Sequence, residues 1–342
     1  MPIPIEMVFV VCSGRSGSTL LQSMFDAHPN ICAPIESKFV LHLVGKYGEN
    51  QNWDEETISS YCTDLYSNRK FRLFWKIQKN TLLKAFSNYS VKSFEDACKV
   101  VYLSFPSFFN KGKIQIIVDK NPLHIRFMDK LSTIFPNAKF IHLIRDPRAV
   151  YNSRREAFNE KSAFLHANRW NLENSLALNF QKENPQKYYR MFYEKLILNP
   201  EETLKGTTDF MNVSFNENML SGHKRFKERI AENKYLNLVH HRNIAKPVMS
   251  ENIEKWRIEV DPKNIRIIEA ITFDLAYSLR YFKEKPQLSV FEGWKNKMGN
   301  AQLHLRYSFF NILFDLPFFW RRNMYNFVSL FFDRKYKEVE KN

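Results

Sequence analysis

The chain has 342 residues, 44% of them hydrophobic and 25% charged, an ordinary globular mix with room for one large α/β domain or two small ones. Four cysteines (Cys12, Cys32, Cys62, Cys98) lie in the first third without CxxC spacing, which argues against a metal site or a disulfide framework and for reduced thiols. The net charge is +15, yet residues 1–60 hold three basic side chains against seven acidic ones, so the excess lies beyond residue 60 and suits a polyanion: a nucleotide, nucleic acid or an anionic membrane.

The N-terminus "MPIPIEMVFVVCSG" has no basic n-region and reads as a first strand rather than a signal peptide, giving the expectation of a cytoplasmic protein, or one held peripherally at the inner membrane surface. Residues 7–12 are a continuous apolar run, the pattern of a buried parallel strand. Ser18–Ala27 is helical, with Leu20, Leu21, Met24 and Phe25 on one face. Residues 35–110 are mainly helical and rich in aromatics. "KIQIIVDKNP" (113–122) is a second strand. "KLSTIFPNAKFIHLIRDPRAVYNSRREAF" reads as helix, turn, strand (139–144), turn, helix. "KYYRMFYEKL" (187–196) reads as a fourth strand, and residues 200–282 are helical again. Strands alternating with helices predict an α/β fold: a P-loop-like central parallel sheet flanked by helices. The domain reading is 1–285 for this unit and 286–342 for a helical, aromatic and basic tail that serves packing, oligomer formation or membrane-surface contact. In that tail, Asn311, Asp315, Pro317 and Arg321 break the apolar stretches, which are too short to span a bilayer.

"VFVVCSGRSGSTLLQSMFDAHPN" has the strand, Gly/Ser turn and helix of a phosphate-binding loop. A triphosphate-binding loop needs G-x-x-x-x-G-K-[ST], but Cys12 stands at the first glycine position and Ser18 at the lysine position. Gly17 and Thr19 keep the second glycine and the hydroxyl. The backbone amides at the helix N-terminus bind an anion unaided. The ligand is therefore a phosphate group needing no metal, with Arg15 adding charge. A second anion site is "FIHLIRDPRAVYNSRR": Arg145 sits where a strand ends, a helix starts at Pro147, and Ser153 follows two helical turns on. Two such sites suit an adenosine with phosphates at both ends.

"GRSGSTLL" and "IRDPRAVYNS" resemble the 5′-phosphosulfate and 3′-phosphate motifs of sulfotransferases that use 3′-phosphoadenosine 5′-phosphosulfate (PAPS). "SGSTLLQSMFDAHPN…ESK", "DKNP", "FPNAKFIHLIRDPRAVYNS", "RWN", "YEKLILNPEETL" and "HHRNIAKPV…W" stand in the order found in the tyrosylprotein sulfotransferase-like branch, over roughly residues 7–260. The resemblance implies that Arg15, Ser16, Gly17, Ser18 and Thr19 cradle the 5′-phosphosulfate and that Glu36 is the general base. It also implies that Lys120 and Arg15 stabilise the transferring group, that Arg145 and Ser153 take the 3′-phosphate, and that Lys246 closes over the cofactor. PAPS is then the donor, 3′-phosphoadenosine 5′-phosphate (PAP) the product, and no metal takes part. Departures are the single Glu of "IESK", Lys38 in place of an Arg, and the absence of both the cytosolic members' "RKGxxGDW" segment and the Golgi members' membrane anchor and disulfides.

The acceptor expected is a small-molecule or lipid-like hydroxyl, such as a sterol alcohol, with peptidyl tyrosine or a carbohydrate as alternatives. Segments 40–110, 155–185 and 210–245 are expected to wall its cleft, with His240 and His241 as candidates for the lining. His28 reads as a helix-end packing residue, His142, Trp170 and Trp256 as core, and Arg148 and Arg154 as helix-surface charges. Glu36 has Lys38 as its nearest alternative partner in sequence. The partners expected are a homodimer and a peripheral membrane contact through the tail, with no nucleic acid. The other function classes are a P-loop nucleotide kinase and a basic nucleic-acid- or membrane-binding protein; the missing lysine speaks against the first and the lack of a recognised motif against the second.

Overall fold

The structure, a computed structural model, describes residues 3–222, 251–316 and 318–320. β1 (Glu6–Val11), β2 (Ile31–Cys32), β3 (Ile116–Lys120), β4 (Lys139–Ile144) and β5 (Tyr188–Phe192) form one sheet in the order β2-β3-β1-β4-β5, with every pairing parallel. The crossovers are helical. α1 (Ser18–Ala27) follows β1. α2 (Phe39–Tyr47), α3 (Glu55–Ser67), α4 (Arg69–Trp75), α5 (Lys79–Ser87) and α6 (Phe94–Leu103) fill the long excursion from β2 to β3. α7 (Met128–Ile134) precedes β4, and α8 (Pro147–Phe158) and α9 (Ala163–Glu183) precede β5. α10 (Tyr193–Leu198) and α11 (Pro200–Phe210) come next, and after residue 250 stand α12 (Glu251–Glu254), α13 (Trp256–Glu259), α14 (Pro262–Ser278) and α15 (Val290–Asp315). The α/β reading of the sequence holds.

β1 is apolar past Glu6 because it is the central strand and both of its faces are covered. Met7, Phe9 and Val11 face one layer, in which α2 to α7 and Phe180 of α9 pack; Val8 and Val10 face the other, packed with Leu21, Met24 and Phe25 of α1 and Leu196 and Leu204. The aromatics of residues 35–110 turn into the first layer, where Phe39, Tyr61, Phe71 and Trp75 are buried. The end of α1 is fixed from outside by Lys111, whose ammonium donates to the carbonyls of Asp26, His28 (3.2 Å) and Ile31 (2.6 Å) and pairs with the Asp26 carboxylate at 3.0 Å. A cation on the last carbonyls suits the negative end of a helix.

Two elements depart from the sequence reading: the reading holds no strand at Ile31–Cys32, where β2 is too short to show a strand pattern, and it runs β5 too far. The strand expected over 187–196 stops at Phe192, and Tyr193 opens α10. Tyr188, Tyr189, Phe192 and Tyr193 are β-formers, but Glu194, Lys195 and Leu196 favour helix, so the local pattern itself turns at Tyr193 and tertiary seating reinforces the turn. The Tyr193 ring lies against Gly17, where an added Cβ would come within 2.4 Å of it. Gly17 also has φ +92°, the left-handed region that favours glycine.

The Phe9 ring is fully buried among Phe135 (5.3 Å between ring centres), Phe140 (5.4 Å) and His124 (5.5 Å). Phe9→Ala should cost ~3–5 kcal/mol of unfolding free energy in urea titrations; a cost under ~1 kcal/mol would show that the layer collapses around the gap.

Candidate active site

The parallel register sets the strand ends level. Val10 pairs with Lys120 and Val11 with His142, so the loop after β1, the end of β3 and the turn after β4 open on one carboxyl edge. The loop alternates backbone hands: Arg15 at φ +79° and Gly17 at φ +92°. Left-handed backbone at a non-glycine residue is strained, and such strain persists where the surroundings enforce it. Here Ser16 Oγ donates to Ser13 O at 2.5 Å and closes the turn. α1 then starts without a side-chain cap and without an acidic residue in its first turn, leaving its amides and positive dipole end for an anion.

Cations converge above this loop. Arg15 Nε donates to Ser153 Oγ at 3.1 Å. Arg145 is buried, donating through Nη1 to Arg15 O (3.1 Å) and through Nη2 to Asn252 O (3.0 Å), with its guanidinium 4.2 Å above the Tyr193 ring. Its turn is held from three sides. Trp170 Nε1 donates to Arg145 O, the Asp146 amide donates to Glu194 Oε1, and Tyr281 donates to Glu194 Oε2. Burial, and then the charges of Arg145 and Arg154, press the pKa of Arg15 down. Among the described residues, the Nε atoms of Arg145 and Arg154 are buried without a hydrogen-bond partner. A bound anion satisfies such donors and relieves the crowding of like charges.

The second constellation lies across the loop. Lys120 ends β3 with its side chain 3% exposed, and its ammonium meets Glu36 Oε2 at 3.1 Å. Lys120 is thus a close partner of Glu36. The segment carrying Glu36 has no regular structure and is tied down by side chains. Asn121 Nδ2 donates to Ser37 O at 2.9 Å, and Gln22 Nε2 donates to Pro34 O at 2.5 Å. Burial acts to raise the Glu36 carboxyl, but the charge and hydrogen bond of Lys120, with Lys38 and His124, hold it below its usual range. Its 44% exposure lets water reduce both the desolvation and the pull of Lys120, leaving the direction downward.

Behind Lys120 lies a buried group. Asp119 accepts from the Tyr102 hydroxyl at 2.5 Å and sits 3.5 Å from His124 Nδ1. Burial pushes the Asp119 carboxyl up to about 7; the Tyr102 hydrogen bond opposes the rise and Glu36 adds to it. Burial takes His124 down to about 3, so its ring is neutral, and neither ring nitrogen has a hydrogen-bond partner.

A cleft of about 290 Å³ opens beside these groups, lined by Gly14, Glu36, Asn121 and Leu123 and by the cations Lys38, Arg126, Arg154 and Arg169. Glu173, also in its wall, accepts from Ser13 (2.7 Å) and from Tyr307 of α15 (2.5 Å). Of the segments expected to wall the acceptor cleft, 155–185 contributes to this lining and 40–110 does not, because its helices bury their aromatics in the core. Arg148 and Arg154 are not the surface charges that helix position suggests. Arg148, its side chain 11% exposed, is held between Asp146 and Glu269 and lies 3.8 Å over the Trp256 ring, and Arg154 pairs with Glu160 at 3.3 Å in the cleft wall. His28 is a helix-end residue, 2.8 Å from Ser214 O, and His142 is satisfied in the core by Tyr188 (2.5 Å) and Asn174 (2.9 Å). Trp170 and Trp256 are buried. Lys246, His240 and His241 lie outside the described residues.

Arg15, Arg145 and Ser153 thus come together, as do Glu36 and Lys120, and Ser16, Gly17, Ser18 and Thr19 form the loop and first turn between them. Glu173 and Tyr102 carry no local signal in the sequence; partners 160 and 17 positions away define them. Free Asp has a pKa of about 4. Between that value and about 7 the folded chain keeps on Asp119 a proton that the unfolded chain has released. The stability this contributes is full below the unfolded value and is lost as pH rises through the folded one. Melting curves from about pH 5 to about pH 8 should show wild type losing stability relative to Asp119→Asn; parallel curves would mean that Asp119 does not hold that proton.

The comparisons agree with this geometry. A family model described as "Sulfotransferase family" matches residues 7–217. Protein-tyrosine sulfotransferase 1 of Danio rerio is 23% identical over 284 residues, covering 80% of this chain and 72% of its own length. The protein-tyrosine sulfotransferase of Drosophila melanogaster is 23% identical over 265 residues, 74% of this chain and 47% of its own, so the chain spans about half of that relative. Among solved structures, the sulfotransferase domain of the Synechococcus PCC 7002 olefin synthase superposes with a TM-score of 0.57 at 22% identity, covering 83% of this chain and 98% of that domain. The sulfotransferase domain from the curacin biosynthetic pathway superposes with a TM-score of 0.58 at 19% identity, covering 83% and 100%, and both show the same fold. The match of the family model to well over half of the chain, on a sheet edge that carries an uncapped anion loop and converging cations, makes this protein a member of the sulfotransferase family.

Proposed function

We propose that this sulfotransferase moves the sulfuryl group of PAPS to an acceptor hydroxyl, with Glu36 as the general base. The observation that carries this reading is the Glu36–Lys120 pair, set at the mouth of a cleft beside an uncapped helix N-terminus and buried arginine N–H groups without a partner among the described residues. The residues fit the donor's two anionic ends. Arg15, Ser16, Gly17, Ser18 and Thr19 would hold the 5′-phosphosulfate, Arg145 and Ser153 the 3′-phosphate, and Lys246 is assigned to the same cofactor by resemblance alone. Bound there, PAPS supplies a sulfuryl group whose bond to the 5′-phosphate breaks as the acceptor oxygen bonds to sulfur.

Glu36, held below the usual carboxylate range, stands ready in its deprotonated form. It takes the acceptor proton, and Lys120 and Arg15 offset the charge that gathers on oxygens in such a transfer. Lys120 links the two tasks. As its ammonium turns from Glu36 toward a sulfuryl oxygen, Glu36 loses the partner that depresses its pKa and becomes the stronger base. In the cleft's lining the four cations Lys38, Arg126, Arg154 and Arg169 outnumber the carboxylates Glu36 and Glu173, and this positive balance favours an acceptor with a negatively charged part over a bare sterol. A hydroxylated amphiphile with an anionic head meets that requirement. Peptidyl tyrosine is the second reading, brought in by the names of the relatives.

Calorimetry with PAP in the absence of magnesium should give micromolar binding that Arg145→Ala weakens at least ~10-fold through loss of a charge-assisted contact. Preference for ATP·Mg, or no binding to either nucleotide, would overturn the reading. Glu36→Gln should keep PAP affinity while lowering transfer from labelled PAPS by roughly 10²–10⁴-fold; unchanged transfer would remove Glu36 as the base.

A further inference from the structure

α15 buries one side and exposes a second apolar side opposite to it. Its inner side is seated by Glu292, Asn296, Gly299, Leu303 and Tyr307, spaced three or four residues apart. Glu292 closes a capping box with Ser289 and pairs with Arg266, Asn296 accepts from Asn168 at 2.7 Å, and Leu303 is fully buried. Gly299 runs against Phe164 and Leu165 of α9, where an added Cβ would meet Phe164 at 3.4 Å. The outer side repeats the same spacing in apolar residues: Phe291, Trp294, Met298, the small Ala301, Leu305, Phe309 and Ile312. Leu305 is 73% exposed, Ile312 61% and Trp294 57%. From Phe291 to Ile312 this stripe is about 32 Å long at ~1.5 Å per residue. Single exposed apolar residues are ordinary, but a continuous stripe on one helix face marks an interaction surface.

Charge selects the occupant. From 293 to 314 the helix carries Lys295, Lys297, His304 and Arg306 and no acidic residue, and all four are exposed on the flanks of the stripe. Two copies paired along it would bring like charges together, whereas an anionic lipid surface offers hydrocarbon to the stripe and phosphate to its flanks. No described helix is long and apolar enough to cross a membrane. We propose that α15 lies in the plane of an anionic bilayer surface, with Phe291, Trp294, Met298, Leu305, Phe309 and Ile312 entering the headgroup boundary and Lys295, Lys297 and Arg306 binding lipid phosphates. The helix also fixes a cleft residue. Arg126 donates to Tyr307 O at 3.2 Å and to Asn311 Oδ1 at 2.9 Å, so docking brings a wall of the cleft within about one helix diameter, roughly 10 Å, of the lipid.

Co-sedimentation of the full chain with vesicles tests this independently of any transferase assay. Wild type should pellet with phosphatidylcholine vesicles containing phosphatidylglycerol, much less with phosphatidylcholine alone, and less as salt rises. The double variant Leu305→Glu/Phe309→Glu should pellet roughly tenfold less, with an unchanged melting temperature because both side chains are exposed. Charge reversal at Lys295, Lys297 and Arg306 should abolish the salt-sensitive part. Wild type remaining in the supernatant with both vesicles, or equal pelleting by wild type and the Leu305→Glu/Phe309→Glu variant, would overturn the proposal. So would a lipid-free dimer that this variant disperses, since that outcome gives the stripe to a second copy.

Discussion

The parallel pairing of β1 with β3 on one side and β4 on the other is the constraint on which the site depends. A parallel sheet sends successive strand ends to the same edge, and its register decides which residues leave it level. Here that register brings the loop of Ser13 to Gly17, Lys120 and Arg145 within reach of one another, although more than a hundred positions separate the first from the others. A shift of one residue in β3 would turn Lys120 to the opposite face and seat Asp119 in its place. The buried aromatic cluster around Phe9 enforces the register, because the side chains that choose the face are large and have no other apolar place to go.

On that frame the protein holds charges that repel one another. Arg15 is disfavoured as a cation by burial and by Arg145 and Arg154, and two buried guanidinium N–H groups have no acceptor among the described residues. A fold tolerates this where a ligand completes the set. The uncapped start of α1 faces the same way, so the electrostatic demand is for an anion with several oxygens. Across the loop the balance differs. Glu36 and Lys120 compensate each other; Glu36 is partly exposed to water, but Lys120 is buried, so the pair opens where another anion takes up the ammonium. One half of the site therefore awaits charge and the other keeps an exchangeable pair. That division suits binding an anionic donor at one end and moving a proton at the other.

α15 extends the same logic outward. Its inner side ties the helix to α9 and, through Tyr307 and Asn311, to Glu173 and Arg126 in the cleft wall. Its outer side leaves an apolar stripe between basic flanks, a mismatch for water that an interfacial lipid environment would remove.

Much of this was legible in the amino-acid order. The continuous apolar run over 7–12, the Gly/Ser turn without a lysine, and Arg145 at the end of an apolar strand before Pro147 are local signals, and each lies where the reading placed it. The sequence by itself determined the layering, four of the five strands and the anion-seeking loop, because period and turn chemistry act over a few neighbouring residues. What tertiary structure alone decided spans long separations. It set Tyr193 on Gly17, gave Glu36 the buried partner Lys120, and buried Asp119 against Tyr102 and His124. It also turned Arg148 and Arg154 inward and the apolar stripe of α15 outward. Burial and pairing across the fold set those outcomes, and no local spacing encodes which distant side chain will arrive.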